Sequence, residues 1–281
     1  MKILSGTTIA TMSMLYGTSA FAANPPLDAK ADLHPIVEVK NGYLFGAIAK
    51  GKWIKAEEAA KALNDETTYR IYGLTESFGE ARGGKPKPSD EEVYSDVLTV
   101  ALSPTPEKGA IALGAPWNAL PRKSQTTDPT QKVYVDAVRD FLQTKGIKQP
   151  TVKIENIIRV DLDGDGEEEA LISATNYLQK EEGVPMRSPT GSYSMVLLRR
   201  VVSGKVETQL VEGEFYPKAY VSDEASFNAP NAYKVIAVLD LDGDGKMEVV
   251  VASSYYEGEA TTIYRCNPKK IEELLSVSCG V

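Results

Sequence analysis

The stretch Asp161-Leu162-Asp163-Gly164-Asp165-Gly166-Glu167-Glu168-Glu169 recurs as Asp240-Leu241-Asp242-Gly243-Asp244-Gly245-Lys246-Met247-Glu248. Apolar runs flank each copy. Ile157-Ile158-Arg159-Val160 and Ala170-Leu171-Ile172-Ser173-Ala174 enclose the first; Val235-Ile236-Ala237-Val238-Leu239 and Val249-Val250-Val251-Ala252-Ser253 enclose the second. Short runs of branched apolar residues bounded by Asp and Gly read as strands. Each copy is therefore strand, acidic loop, strand, and an offset of 79 residues superposes Asp161 on Asp240, Glu169 on Glu248 and Tyr177 on Tyr256.

The duplication extends outward from the loops. Tyr193 to Val201 and Thr261 to Cys266 supply a third strand, and Lys205 to Leu210 matches Lys270 to Leu275 as a fourth. That match assigns Lys270 to Leu275 to a strand, although Asn267-Pro268 alone would suit the start of a short helix. The expected fold class is β-rich α+β: two antiparallel four-stranded units, about 152–216 and 232–281, packed on an N-terminal α+β portion. The expected divisions are a signal peptide over 1–22, the N-terminal portion over 23–127, a connecting helix over 128–148 and the repeat domain over 149–281. For the helix, Asp128 reads as N-cap, Pro129 as first helical residue and Gln131 as partner in a capping box. Tyr134, Ala137, Val138, Phe141 and Leu142 form its buried face, and Gly146 ends it. In the N-terminal portion, strands are expected around turns at Asn41-Gly42 and Lys50-Gly51, over Thr68 to Leu74, Val93 to Leu102 and Ala110 to Leu113. A short helix is expected over Ala56 to Leu63, and 79–90 reads as a flexible loop.

The loops carry the chemistry. Calcium takes six to eight hard oxygen ligands, and Asp at alternating positions of a tight loop aims three carboxylates at one centre. In these loops those are Asp161, Asp163 and Asp165, and Asp240, Asp242 and Asp244. Gly166 and Gly245 permit the sharp turn, and the carbonyls of Glu167 and Lys246 can add an oxygen. An EF-hand would place a bidentate Glu at position 12, where Ile172 and Val251 stand inside apolar strands. The fourth acid comes instead at position 9, Glu169 and Glu248. A plain Asp-Gly hairpin needs no such set of carboxylates, which repel one another unless neutralised. Two calcium sites are expected, in preference to magnesium, which suits all-protein cages poorly.

The pattern Asp-x-Asp-x-Asp-Gly-x-x-Glu between apolar strands resembles the calcium loops of FG-GAP and VCBS-type repeats, found in integrin-alpha-like β-propellers and exported bacterial proteins. The resemblance covers roughly Ile154 to the C-terminus. It implies four-stranded blades and makes Asp161, Asp163, Asp165, Glu169, Asp240, Asp242, Asp244 and Glu248 ligands. Neither copy keeps the Phe-Gly or Gly-Ala-Pro landmarks, having Ser173-Ala174-Thr175 and Ala252-Ser253-Ser254 instead. Two copies are too few for a closed ring of four or more blades.

Composition narrows the function. Lys2, a modestly apolar stretch over 3–17 and Ala20-Phe21-Ala22 fit an export signal cleaved after Ala22, so the protein is expected in the periplasm or outside the cell. No later segment is apolar enough to span a bilayer. A net charge of −8 lacks the basic footprint of a nucleic-acid binder. His34 is the only His and falls just after the leader, which disfavours Ser-His-Asp and Cys-His catalysis, and zinc sites built on several His or Cys are excluded. No phosphate-binding Gly loop is present. Cys266 and Cys279 form an even pair in an exported chain, which suggests a disulfide. A hairpin turning at Pro268-Lys269 would nevertheless set Cys266 opposite Ile271, with Cys279 about 26 Å further on at ~3.3 Å per residue. Either the tail doubles back or both thiols stay free. The reading is an exported, non-catalytic calcium-binding repeat protein, serving as a binding or adhesion module for a protein or glycan partner. Trp53, Trp117 and Tyr255-Tyr256 are the candidate contact aromatics. The alternative is a secreted or periplasmic carboxylate-dependent hydrolase acting on glycans.

Overall fold

The computed structural model describes residues 33–63, 66–89, 97–176, 188–218 and 230–280. The expected signal peptide lies outside the described residues, as do Tyr177 and most of the longer loop of the first copy.

Strands β1 (Leu33–Glu38), β2 (Leu44–Ala49), β3 (Lys52–Lys55), β4 (Thr67–Tyr72), β5 (Ser77–Gly83), β8 (Leu102–Ser103) and β9 (Ile111–Leu113) form one antiparallel sheet in the order β3-β2-β1-β9-β4-β5-β8. Two short strands, β6 (Lys87–Pro88) and β7 (Leu98–Thr99), pair beside it, and helix α1 (Ala56–Ala62) follows β3. The β2–β3 turn falls at Lys50-Gly51, both at positive φ, which is the backbone that a two-residue hairpin requires. Within the stretch read from its glycines as a flexible loop, 79–83 and 87–88 are strand. Residues 77–83 are strand β5, and Gly83 is there because a Cβ would meet Val100 at 2.6 Å and Tyr69 at 2.7 Å.

The first copy contains β11 (Ile154–Val160), β12 (Glu169–Thr175), β13 (Ser192–Val202) and β14 (Lys205–Tyr216), each hydrogen-bonded to the next. A strand absent from the sequence reading, β10 (Gln125–Thr127), adds to the edge of β11 and makes this sheet five-stranded. The second copy is a four-stranded meander, β15 (Ala232–Leu239), β16 (Glu248–Tyr255), β17 (Gly258–Asn267) and β18 (Lys270–Gly280). The Lys270 segment is thus strand, as the internal match argued.

Helix α2 (Lys132–Thr144) starts later than expected. Asp128 does not cap it: its carboxylate accepts the Thr130 amide and hydroxyl, closing a turn that delays the helix to Lys132. The other end is as read, with Gly146 at φ +87 donating to the Gln143 carbonyl and Ile147 to that of Leu142. Val138 and Leu142 seal one face of the five-stranded sheet together with Ile157, Ile172, Tyr193 and Leu197.

The sheets stack in an order that the chain does not follow. Ala237, Leu239, Val250, Ile263 and Leu275 of the second copy pack on Ile36, Phe45, Ile48, Tyr72 and Leu113 of the N-terminal sheet. Val235, Val238, Val249 and Val251 pack the other way, on Ile158, Val160, Leu171, Val196 and Leu198 of the first copy. The last-made sheet is therefore the middle layer, buried on both faces, which is why β15 and β16 are continuous apolar runs and not alternating ones.

Candidate metal centre

Both acidic loops are built by the same hydrogen bonds at the same positions. In the first, the two oxygens of Asp161 accept the amides of Gly164 at 2.6 Å and Gly166 at 3.1 Å. Asp163 accepts the Asp165 amide at 3.3 Å, Asp165 that of Glu167 at 2.8 Å, and Glu169 that of Leu162 at 2.8 Å. In the second, Asp240 accepts Gly243 at 2.8 Å and Gly245 at 3.1 Å. Asp242 accepts Asp244 at 3.2 Å, Asp244 accepts Lys246 at 2.8 Å, and Glu248 accepts Leu241 at 3.0 Å. All four loop glycines have φ between +75° and +92°, a conformation costly for any residue with a Cβ. Glu169 and Glu248 open β12 and β16 and are buried, each closing its loop from beneath.

Within each triad, one carboxylate oxygen from each Asp lies within 4.8 Å of the others. Ligands 2.3–2.6 Å from one ion stand at most about 5 Å apart. Asp161, Asp163 and Asp165, and Asp240, Asp242 and Asp244, therefore fit a metal ion as donor sets.

The loops differ in what surrounds them. Arg265, on β17, forms an ion pair with Asp242 and stands 3.5 Å from Glu248. Arg200, on β13, occupies the matching register: Arg199 pairs with Ala170 as Tyr264 pairs with Val249. Arg200 turns away, donating to the carbonyls of Cys266 and Asn267 and to Gln209. Burial pushes the Glu248 carboxyl up to about 8, with the neighbouring Asp242 charge adding to the effect and Arg265 opposing it. Burial likewise raises Asp240, Asp242 and Glu169, the last against the lowering effect of the Leu162 amide. The second loop is thus the more deeply buried.

A segment far upstream braces both loops. Trp117 donates its indole N–H to the Asp240 carbonyl at 3.0 Å, and its ring lies 3.0 Å from where a Cβ on Gly243 would stand. The Asp240 amide donates to the Ala119 carbonyl at 2.9 Å. Arg122 donates to the carbonyls of Asp161, Leu162 (3.2 Å) and Gly245 (2.7 Å), reaching both loops. The Met247 amide completes the junction on the Leu162 carbonyl at 2.8 Å.

A sequence model of the FG-GAP repeat matches residues 233–264, which is β15, the second acidic loop, β16 and most of β17. The chain carries an FG-GAP repeat. The match ends short of the first copy, which reproduces the hydrogen bonds of the FG-GAP loop one for one. The Gly-Ala-Pro tripeptide missing from both copies stands at Gly114-Ala115-Pro116, directly before Trp117. Comparison with curated proteins and with solved structures gave no match.

Other sequence candidates lie elsewhere. His34 belongs to β1 and not to a terminal segment; its ring meets that of Trp117 edge-on at 4.6 Å and its Nδ1 is 3.2 Å from the Gly114 carbonyl. Cys266 pairs with Ile271 and Cys279 with Glu259, so β18 runs straight on and both thiols are free. Trp53 and Trp117 are partly buried beside the FG-GAP sheet, whereas Tyr256 is exposed. No helix among the described residues is long and apolar enough to cross a membrane.

At the pole opposite the loops, a cleft of about 830 Å³ is lined by the N-terminal sheet, the FG-GAP sheet and, through Glu155, Asn156 and Thr175, the first copy. Small residues leave the space, among them Gly73, Gly109, Ala110, Ala252 and Ala260, and Tyr43, Phe78 and Tyr233 border it. Two of its carboxylates support the β1–β2 turn: Glu38 accepts the amides of Lys40 and Asn41, and Glu259 accepts the Lys40 ammonium and the Asn41 side chain, while the third, Glu155, pairs with Lys153 at 3.3 Å.

Arg122, Arg200 and Arg265 escaped the sequence reading, and Trp117, read there as a contact aromatic, braces the second loop instead. Arg122 is 39 residues from Asp161 and 123 from Gly245, a separation that no local pattern reports.

Proposed function

We propose that this is an exported, non-catalytic FG-GAP-type repeat protein in which two calcium ions hold the acidic loops and so stabilise a stack of blade-like sheets. The observation that carries the reading is the duplication of one loop, bond for bond, around three converging carboxylates. Asp161, Asp163, Asp165, the Glu167 carbonyl and Glu169 would hold one ion; Asp240, Asp242, Asp244, the Lys246 carbonyl and Glu248 would hold the other. Calcium supplies positive charge where burial and mutual repulsion penalise the carboxylates. The chain's own residues do the rest. Loop amides fix the first three acids, the glycines turn the backbone, and Glu169 and Glu248 tie each loop to its strand.

Export rests on the residues before Ala23, and mass spectrometry of the mature protein starting at that residue would support it. The cleft at the pole opposite the loops is the surface we assign to binding, since its volume falls in the range of ligand sites. Glu38 and Glu259 serve the β1–β2 turn and Glu155 pairs with Lys153, so each of its carboxylates is already engaged, which favours a binding module over the glycan hydrolase. The deciding experiment is thermal unfolding in excess calcium and in EDTA. At a hundredfold excess over Kd, one site adds about 2.7 kcal/mol, which is about 5–10 °C for a chain of this size. Identical melting in the two buffers overturns the reading.

A further inference from the structure

The brace at 117–122 belongs to neither loop, yet its Arg122 grips both. Resting on the calcium reading above, we propose that Arg122 couples the two loops, so that filling one raises the cation affinity of the other. The path is short. Leu162 lies between Asp161 and Asp163, its amide held by Glu169 and its carbonyl accepting from both Arg122 and Met247. Drawing the first triad onto an ion fixes the backbone between Asp161 and Asp163, and hence the direction of that carbonyl. One of its donors is an amide of the second loop. The other is the guanidinium, which also donates to Gly245, the residue whose own amide is bound by Asp240. Order in the first loop therefore favours order in the second, and linkage makes the effect reciprocal. Repulsion between the ions opposes this, but Asp163, Asp165 and Asp244 face solvent, where salt screens it. A planar guanidinium can hold three carbonyls at once; a lysine ammonium at this position would keep the charge and lose the bridge.

The two tryptophans make the coupling measurable. Trp117 lies against Gly243, and Trp53 stacks under Arg265 with 5.8 Å from the guanidinium to the ring centroid, so both stand at the second loop. Terbium(III) excited through tryptophan then reports the second loop, while calorimetry with calcium counts both. Asp163→Asn disables the first loop and should weaken terbium binding at the second by about 5–10-fold, the low end of typical coupling. In an Arg122→Lys background the same change should alter it less than about twofold. The coupling is overturned if Asp163→Asn leaves the second loop's affinity unchanged, or weakens it equally in both backgrounds. Absence of calcium uptake by the unmutated protein overturns the calcium reading and this coupling with it, whereas uptake at two uncoupled sites overturns the coupling alone.

Discussion

The two acidic loops share a backbone and diverge in their counter-charge. In the second, Arg265 lies among the buried acids; in the first, the arginine at the same register spends its donors on the neighbouring sheet's carbonyls. The reason is layering. Arg200 faces the β17–β18 turn across the interface between the copies, and its donors satisfy backbone carbonyls there. Arg265 belongs to the middle sheet, and on its other side the neighbour is the Trp53 ring, which offers no such carbonyls. Equivalent residues thus act differently because the sheets occupy unequal places in the stack. An internal cation competes with a metal, and Arg122 reaches the Asp161 carboxylate only at 4.0 Å whereas Arg265 pairs directly with Asp242, so the first loop should bind calcium more tightly than the second.

Removing Arg265 should show the largest effect. Arg265→Leu leaves Asp242 and Glu248 buried without their partner, a loss of about 3–5 kcal/mol in EDTA, most of it restored by calcium. Urea denaturation with and without calcium measures it, and an equal loss in both would mean that the arginine and the metal do not share a role. The next effect is one of pH. Glu248 has a folded pKa of about 8 against an ordinary 4.5, so from pH 5 to 8 the unfolded chain ionises while the folded one resists. Metal-free stability should fall across that window by about 1 kcal/mol per pH unit. Glu248→Gln should flatten the fall more than Glu169→Gln; the reverse order would show that the second loop is not the more desolvated.

Smaller is the contrast between glycines. Gly243→Ala meets the Trp117 ring at 3.0 Å, whereas an alanine at Gly166 meets open space, although both have positive φ. Gly166→Ala should cost about 1 kcal/mol, and Gly243→Ala about 1–3 kcal/mol more through overpacking. Equal melting temperatures would mean that the ring moves aside freely. The smallest change is expected at Arg159, whose pair with Glu168 at 2.9 Å is exposed; Arg159→Ala should cost under about 1 kcal/mol.

The loops were legible because their information is local. Alternating Asp, a turning Gly and flanking strands lie within nine residues, and duplication reports them twice. The strands of each copy were legible by the same internal comparison, which settled the Lys270 segment. What was hidden was distant or ambiguous. Strand β10 is three residues, too short for a period, and exists because β11 offers an edge. Asp128 has the chemistry of a helix cap and used it on Thr130 instead. Gly83 suggests looseness in sequence and serves close packing in the fold, whereas its neighbours Gly79 and Gly84 border open space. Arg122 is one basic residue among 31, distinguished only by where the chain brings it.

The middle position of the FG-GAP sheet also sets an order of events. A ribosome makes β1 to β5 first, but the surface that covers Phe45, Ile48 and Tyr72 arrives only with residues 237–275. Until then both outer sheets present apolar faces with nothing between them. Residues 232–280 act as a wedge that two waiting layers close upon, and a protein arranged in this way completes neither core until these strands have been made.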